Sequence, residues 1–211
     1  MTARDRGLRE RDLPPGGRFL VVGDIHGERD MLLAVLRRAG FDGHRDKIIS
    51  LGDVIDRGPD SMGCVQFLRE AGAVVLMGNH EAMMLEALND DEGERLWRGN
   101  GGDWAEGVDV TALRDWAQTL PPTAELELRD GRRVGLVHAQ VPMALPWHDA
   151  TKLALGPDDR LDVDAYAPAP QLIWGRTRFR AALQLRQGAK AKAFKHDVAT
   201  PALLLERCTV S

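Results

Sequence analysis

Four short segments place metal-ligating and proton-moving side chains directly after apolar runs: GDIHG (23–27), GDVIDRG (52–58), GNHE (78–81) and VHA (137–139). Asp24, His26, Asp53, Asn79 and His138 offer imidazole nitrogen, carboxylate oxygen and amide oxygen without a thiolate. That donor set suits Mn²⁺, Fe²⁺ or Zn²⁺. Two histidines, two aspartates and an asparagine exceed what one catalytic ion with open positions takes. They suit two ions bridged by one carboxylate, an arrangement that clamps an in-line displacement and generates hydroxide near neutral pH. Asp24, Asp53 or Asn79 alone reads as a helix cap or turn residue. The three glycine-led motifs in this order, each after an expected strand, point instead to one hydrolytic metal centre.

Such ligands, spread over more than a hundred residues, need a scaffold that gathers them. Residues 18–23 (RFLVVG), 47–51 (KIISL) and 74–77 (VVLM) are short apolar runs of the kind buried on both faces of a parallel sheet. Helical periodicity over 28–39 and 61–71 separates them, and a further helix is expected from 81 to 88. The β-α-β-α-β alternation implies parallel strands with crossover helices. Loops at the carboxyl ends of such strands converge on one crevice. Residues 93–120, with Trp97, Trp104 and Trp116, read as a helical insert, the tryptophans serving as core anchors. Asp130-Gly131 marks a hairpin between 124–128 and 132–137. Residues 140–170 are expected to be rich in loops. The stretch 176–195 carries seven basic residues and no acidic one, which reads as a solvated helix face. Glu81 reads as a first-turn helix residue, and His44 and His148 as solvated loop residues.

A length of 211 residues fits one domain, expected over 18–211 behind a disordered extension at 1–17. The net charge of −4 argues against a nucleic-acid or membrane partner. Cys64 and Cys208 lack CxxC spacing and indicate a reducing compartment. No apolar run is long enough to span a membrane, and residues 1–18 have no signal-peptide core. The location expected is cytoplasmic; the oligomeric state is not legible.

The motifs together resemble the calcineurin-like metallophosphoesterases, and within them the phosphoprotein phosphatases of the bacteriophage lambda type and their bacterial relatives. The resemblance covers about residues 18–180 and includes MGNHEAMM (77–84), WRGNGGDW (97–104), LPPTAELEL (120–128) and LIWGRTRF (172–179). It implies an α/β (α+β) fold, a β-sandwich of mixed sheets flanked by helices. It also implies two divalent metal ions, Mn²⁺ first, with Fe²⁺ or Zn²⁺ as alternatives. Asp24 and His26 match the ligands of the first ion, Asp53 the bridging carboxylate, and Asn79 and His138 ligands of the second. His80 matches the general acid and Asp56 the carboxylate that orients it; Arg57 and Arg176 match the guanidinium groups that hold phosphate. The implied reaction is phosphomonoester hydrolysis by direct attack of a metal-bound hydroxide, on a phosphorylated protein or a small phosphoester.

Two departures stand out. Met77 occupies a position that often carries a basic residue in this family. The family's late Gly-His ligand is missing: the chain reads KHDVATPALLLERCTVS over 195–211, with His196 as the substitute candidate. A truncated C-terminus without its closing strands is therefore expected. Two alternatives accompany the phosphatase reading. One is a hydrolase of phosphoanhydrides resembling the symmetrical dinucleoside tetraphosphatases. The other is a catalytically impaired remnant.

Overall fold

The computed structural model describes residues 8–87 and 90–138, together with the backbone of Gln184–Arg186 and Glu206–Arg207. In chain order the first elements are β1 (Leu8–Arg9), β2 (Phe19–Val22), α1 (Arg29–Arg38), β3 (Lys47–Ser50), α2 (Ser61–Glu70) and β4 (Val74–Val75). Three helices follow: α3 (Asn79–Glu86), α4 (Asp91–Gly99) and α5 (Thr111–Ala117), with a 3₁₀ turn at Gly102–Ala105. The hairpin β5 (Thr123–Glu127) and β6 (Arg133–Val137) and the short β7 (Gln184–Arg186) and β8 (Glu206–Arg207) follow among the described residues.

Among the described residues the strands form two four-stranded sheets, ordered β4-β3-β2-β8 and β1-β5-β6-β7. Strands β2, β3 and β4 pair in parallel, as the alternation of apolar runs and helical periodicity predicts. Parallel pairing needs crossover connections, and α1 and α2 supply them. Helix α2 buries Ser61, Cys64, Val65 and Leu68, one stripe at helical spacing. The Asp60 side chain accepts from Gly63 N at 2.8 Å and starts that helix.

The apolar runs are continuous because β2 and β3 are covered on both faces. Leu20, Val22 and Ile48 cluster with Leu32 and Leu36 of α1 and Leu68 of α2. Phe19 and Ile49 instead join Leu126, Val134 and Leu136 of the hairpin, which packs one sheet on the other. No helix among the described residues is long and apolar enough to cross a membrane.

Several expectations change. Residues 8–12 are ordered, not part of a disordered extension: β1 pairs in parallel with β5, Leu8↔Leu126. Leu8 packs on the inter-sheet core, and Glu10 accepts a hydrogen bond from Arg129 N at 3.1 Å. Helix α3 begins at Asn79, two residues before the expected start, because Glu81 accepts from Gly78 N at 3.0 Å and caps the helix from its third position. Within the basic stretch, Gln184–Arg186 is a strand antiparallel to β6. Near the C-terminus, the two-residue β8 lies antiparallel to β2, Val21↔Glu206. Both strands are short, and pairing with an existing edge defines them more than their own propensity does.

The start of the sheet is fastened by one polar cluster. Arg18 N and Nε donate to Asp46 Oδ1 at 3.0 and 3.3 Å, and Nη2 meets Oδ2 at 2.5 Å. The same guanidinium reaches Ala39 O and Gly40 O beyond α1, at 3.2 and 2.9 Å. Burial pushes the Asp46 carboxyl up, but the Arg18 guanidinium and the Asp42 and Arg18 backbone N–H groups outweigh it and hold the group below the usual carboxylate range. A depressed folded value contributes stability that is complete above the unfolded carboxyl range and lost as pH falls through the folded value. Asp46→Asn should therefore cost about 1.5–3 kcal/mol at neutral pH. Urea titrations from pH 7 down to pH 3 should show the gap from the parent protein closing in acid.

Candidate metal centre

The loops after β2 and β3 are zipped together by backbone. Ile25 N and His26 N both donate to Asp53 O, at 2.9 and 2.8 Å, and Gly27 N donates to Val54 O at 2.9 Å. The loop after β4 is attached by Glu81. Its Oε2 accepts from Asp53 N at 2.9 Å and Gly78 N at 3.0 Å, while Oε1 accepts from Val54 N at 2.8 Å and Ile55 N at 3.4 Å. Gly52, at φ +113°, allows this closeness, since a Cβ there would lie 2.6 Å from Gly78 N.

Among the described residues, the non-glycine residues with positive φ are His26 (48°), Asp53 (51°), Asp56 (72°) and Arg57 (67°). Each was singled out from sequence as a site residue. Left-handed backbone costs an L-residue energy and persists only where the surroundings over-determine it. Here the zipped loops do so, and they turn these side chains inward to one point.

At that point Asp24 Oδ2 lies 4.0 Å from His26 Nε2, and Asp53 Oδ2 lies 3.8 Å from His26 Nε2 and 3.4 Å from His138 Nε2. Asn79 Oδ1 is 3.0 Å from His138 Nε2. Asp24, Asp53 and His138 form one group of ligand atoms within 4.8 Å of one another, and His26, Asp53 and His80 form a second. Asp53 belongs to both.

The donor chemistry fits cations. His26 Nδ1 donates to Ile55 O at 3.2 Å and His138 Nδ1 to Leu51 O at 3.1 Å, which aims the lone pair of each Nε2 at the centre. His138 Nε2 then faces Asn79 Oδ1 and Asp53 Oδ2, both acceptors. Asp53 Oδ2 is fully buried without a hydrogen-bond partner. Acceptors converging on acceptors need positive charge between them, which a bound cation, or in its absence a protonated His138, supplies.

The electrostatics are those of a crowded anionic pocket. Burial would raise the Asp53 carboxyl, but His138, His80 and His26 together hold it below its ordinary value. Burial would lower His138, but Asp53, Asp24 and Glu81 raise it. His26 is lowered, chiefly by burial and then by His80 and Arg57 against the pull of Asp53, which favours the neutral, ligating imidazole. Asp24 is pushed up by burial and by Asp53. Glu81 rises to about 7, first from burial and then from Asp53.

Beside the cluster, His80 Nδ1 lies 2.8 Å from Asp56 Oδ2, and its Nε2 is buried without a hydrogen-bond partner. Arg57 is exposed, and its Nη1 lies 2.7 Å from His26 Nε2. Asp24, His26, Asp53, Asn79, His138, His80, Asp56 and Arg57 are thus brought together; Arg176 and His196 lie outside the described residues, as does His148. Met77, 1% exposed, packs into the core on the helical side. His44 is exposed, as expected.

Three contributors went unread in the sequence. Glu81 is more than a first-turn residue, as its four backbone contacts show. Trp97 Nε1 and Trp104 Nε1 donate to Asp56 Oδ2 and Oδ1, at 2.9 and 2.8 Å. The only sequence signal for the pair was their bracketing of the glycine-rich turn in WRGNGGDW. Glu81→Gln presents an amide NH₂ to a nest of backbone donors. It should lower stability by about 1.5–3 kcal/mol and weaken Mn²⁺ binding about 10–100-fold, as measured by urea unfolding and by calorimetric titration.

The comparisons with known proteins agree with this geometry. The family described as calcineurin-like phosphoesterase matches residues 17–193. Serine/threonine-protein phosphatase 1 of Salmonella typhimurium is 42% identical over 128 residues, 58% of this chain and 58% of that protein. The symmetrical bis(5'-nucleosyl)-tetraphosphatase of Pseudomonas fluorescens is 33% identical over 136 residues, 63% of this chain and 46% of that protein. A crystal structure provisionally described as a diadenosine tetraphosphatase superposes with a TM-score of 0.51 at 27% identity, covering 67% of this chain and 57% of the other. The chain therefore spans only 46–58% of the length of these relatives. The matched family segment nevertheless takes in every strand-end motif, from Asp24 to His138, and the chain belongs to the calcineurin-like phosphoesterase family.

Proposed function

We propose that this chain is a metal-dependent phosphomonoesterase of the serine/threonine protein phosphatase kind. The observation that carries the reading is Asp53 Oδ2, buried, without a hydrogen-bond partner, and set between the imidazoles of His26 and His138. Asp24, His26, Asn79 and His138 would together hold two divalent cations, with Asp53, common to both ligand groups, shared between them. Mn²⁺ is the first choice, and Fe²⁺ and Zn²⁺ accept the same ligands. When bound, the pair supplies Lewis-acid charge and a nucleophile at neutral pH.

The chain's own residues do the rest. Arg57, exposed at the cleft, presents a planar fork of donors that matches two phosphoryl oxygens, and Arg176 is its expected counterpart. His80 acts as general acid: its Nε2 hands a proton to the departing oxygen as the P–O bond breaks. Asp56, 2.8 Å from Nδ1, holds the ring so that Nε2 faces the cleft. The fully buried positions of Asp53, Asp56 and His80 keep competing water away from these polar contacts.

A second reading, phosphoanhydride hydrolysis of a dinucleoside tetraphosphate, draws on the relatives that carry that name. Glu81 in GNHE and the Asp56-Arg57-Gly58 segment favour the phosphatase reading, since those enzymes usually show GNHD and lack DRG. One experiment separates the readings. The Mn²⁺-loaded chain is given an aryl phosphate, a phosphoserine peptide and diadenosine tetraphosphate, with bound metal counted and Asp53→Asn as control. Two ions per chain and turnover of the monoesters, lost by at least about 100-fold in the control, are expected. Exclusive cleavage of the tetraphosphate would replace the first reading with the second. One ion or none, with no turnover, would make the chain an impaired remnant that His196 does not rescue.

A further inference from the structure

The helical insert contributes two side chains that no part of the reading above requires. Trp97, 3% exposed, and the half-buried Trp104 stand edge to face, with ring centroids 6.4 Å apart and planes at 88°. Both indole N–H groups end on the same carboxylate. Trp104 occupies Asp56 Oδ1, and Trp97 shares Oδ2 with His80 Nδ1. Asp56 is fully buried, and its own N–H is held by Ser61 Oγ at 2.9 Å.

A carboxylate rotates about its Cβ–Cγ bond unless its lone pairs are committed in fixed directions. Two rigid indoles from α4 and the following 3₁₀ turn commit them here, leaving one direction for His80. The indoles are themselves fixed by the glycine-rich turn. A Cβ at Gly102 would lie 2.7 Å from the Trp97 ring, and Gly101 O accepts from Arg57 N at 3.1 Å. The insert therefore grips the residue before Arg57 by its side chain and Arg57 by its backbone.

We propose that Trp97 and Trp104 are positioning residues for proton delivery: their indole N–H groups lock the Asp56 carboxylate, and through it the His80 ring, so that Nε2 meets the leaving oxygen. The proposal rests on the phosphatase reading for the proton it delivers. In that step the P–O bond breaks with its electron pair on the departing oxygen, which takes the proton from His80 Nε2. The attacking water oxygen forms the new P–O bond and releases a proton to solvent, and His80 regains one from solvent before the next turnover.

The test replaces each tryptophan with 3-benzothienylalanine, which keeps the bicyclic ring and lacks only the N–H, alongside Trp97→Phe and Trp104→Phe. Hydrolysis of a phosphoserine peptide, whose leaving oxygen needs a proton, is compared with that of 2,4-dinitrophenyl phosphate, whose leaving oxygen does not. The expected result is a fall in kcat of about 10–100-fold on the peptide, part of the 10²–10⁴ a positioned acid supplies. KM should stay unchanged and the dinitrophenyl ester should be spared. An equal loss on both esters, or none on either, overturns the proposal. A second readout needs no turnover: ¹⁵N imidazole shifts of His80 in the metal-free chain. The parent should hold the Nδ1–H tautomer and the doubly substituted chain a mixture. An unchanged tautomer overturns the positioning role. A chain that hydrolyses neither ester overturns the phosphatase reading, and the tautomer result still decides this one.

Discussion

An isolated carboxylate is not buried in a protein interior without compensation, yet Asp53 is fully buried and sits on left-handed backbone. Both costs are met by its surroundings. Three imidazoles face its side chain and outweigh burial in setting its charge. Its carbonyl takes two N–H groups from the loop after β2, and its N–H is held by Glu81. Remove any of these supports and Asp53 would turn outward, relax its φ or take up a proton. The remaining ligands are placed relative to Asp53, so the centre depends on this one residue.

The strain is local because the sheet absorbs none of it. Strands β2 and β3 run in regular parallel register to Val22 and Ser50. The unusual backbone begins only beyond them, in loops tied to one another rather than to solvent. Glu81 is the economical part of this arrangement. One buried carboxylate satisfies four backbone N–H groups drawn from two loops, and by capping α3 it also sets where Asn79 and His80 emerge. Burial and Asp53 push its carboxyl up to about 7, while the backbone donors pull the other way. The staple therefore gains when cations lower the negative charge around Asp53, so that metal binding and loop closure favour one another.

Much of this was legible because it is written locally. Strand runs, helical stripes and loop glycines are short-range patterns, and they predict the β2-α1-β3-α2-β4 order and the gathering of Asp24, His26, Asp53, Asn79 and His138. What was not legible depends on partners distant in the chain. Glu81 looks like any first-turn acid until the Asp53 N–H, 28 residues away, is brought to it. Trp97 is the buried core ring the sequence suggests and Trp104 and Trp116 are half-buried against the core, but sequence does not say where an indole N–H ends. Leu8–Arg9 is too charged and too short to announce a strand and becomes one because β5 offers an edge. The same holds for β7, which lies in a stretch read as a solvated helix face, and for the two-residue β8.

The site thus joins two constructions of different kinds. The parallel sheet supplies the cation ligands, because loops at adjacent strand ends must meet. The helical insert supplies the hold on Asp56 and on the Arg57 backbone, and through Asp56 on His80. The two meet in the stretch Asp53–Arg57, which carries a shared ligand at one end and a phosphate-facing guanidinium at the other. Three of its five residues have positive φ, since a normal turn would not direct Asp53 inward to the cluster and Asp56 toward the insert within so few residues. A change that relaxed this stretch would uncouple the cation ligands from the acid even if every functional side chain were retained. Its backbone conformation is therefore as much a part of the centre as the groups it carries.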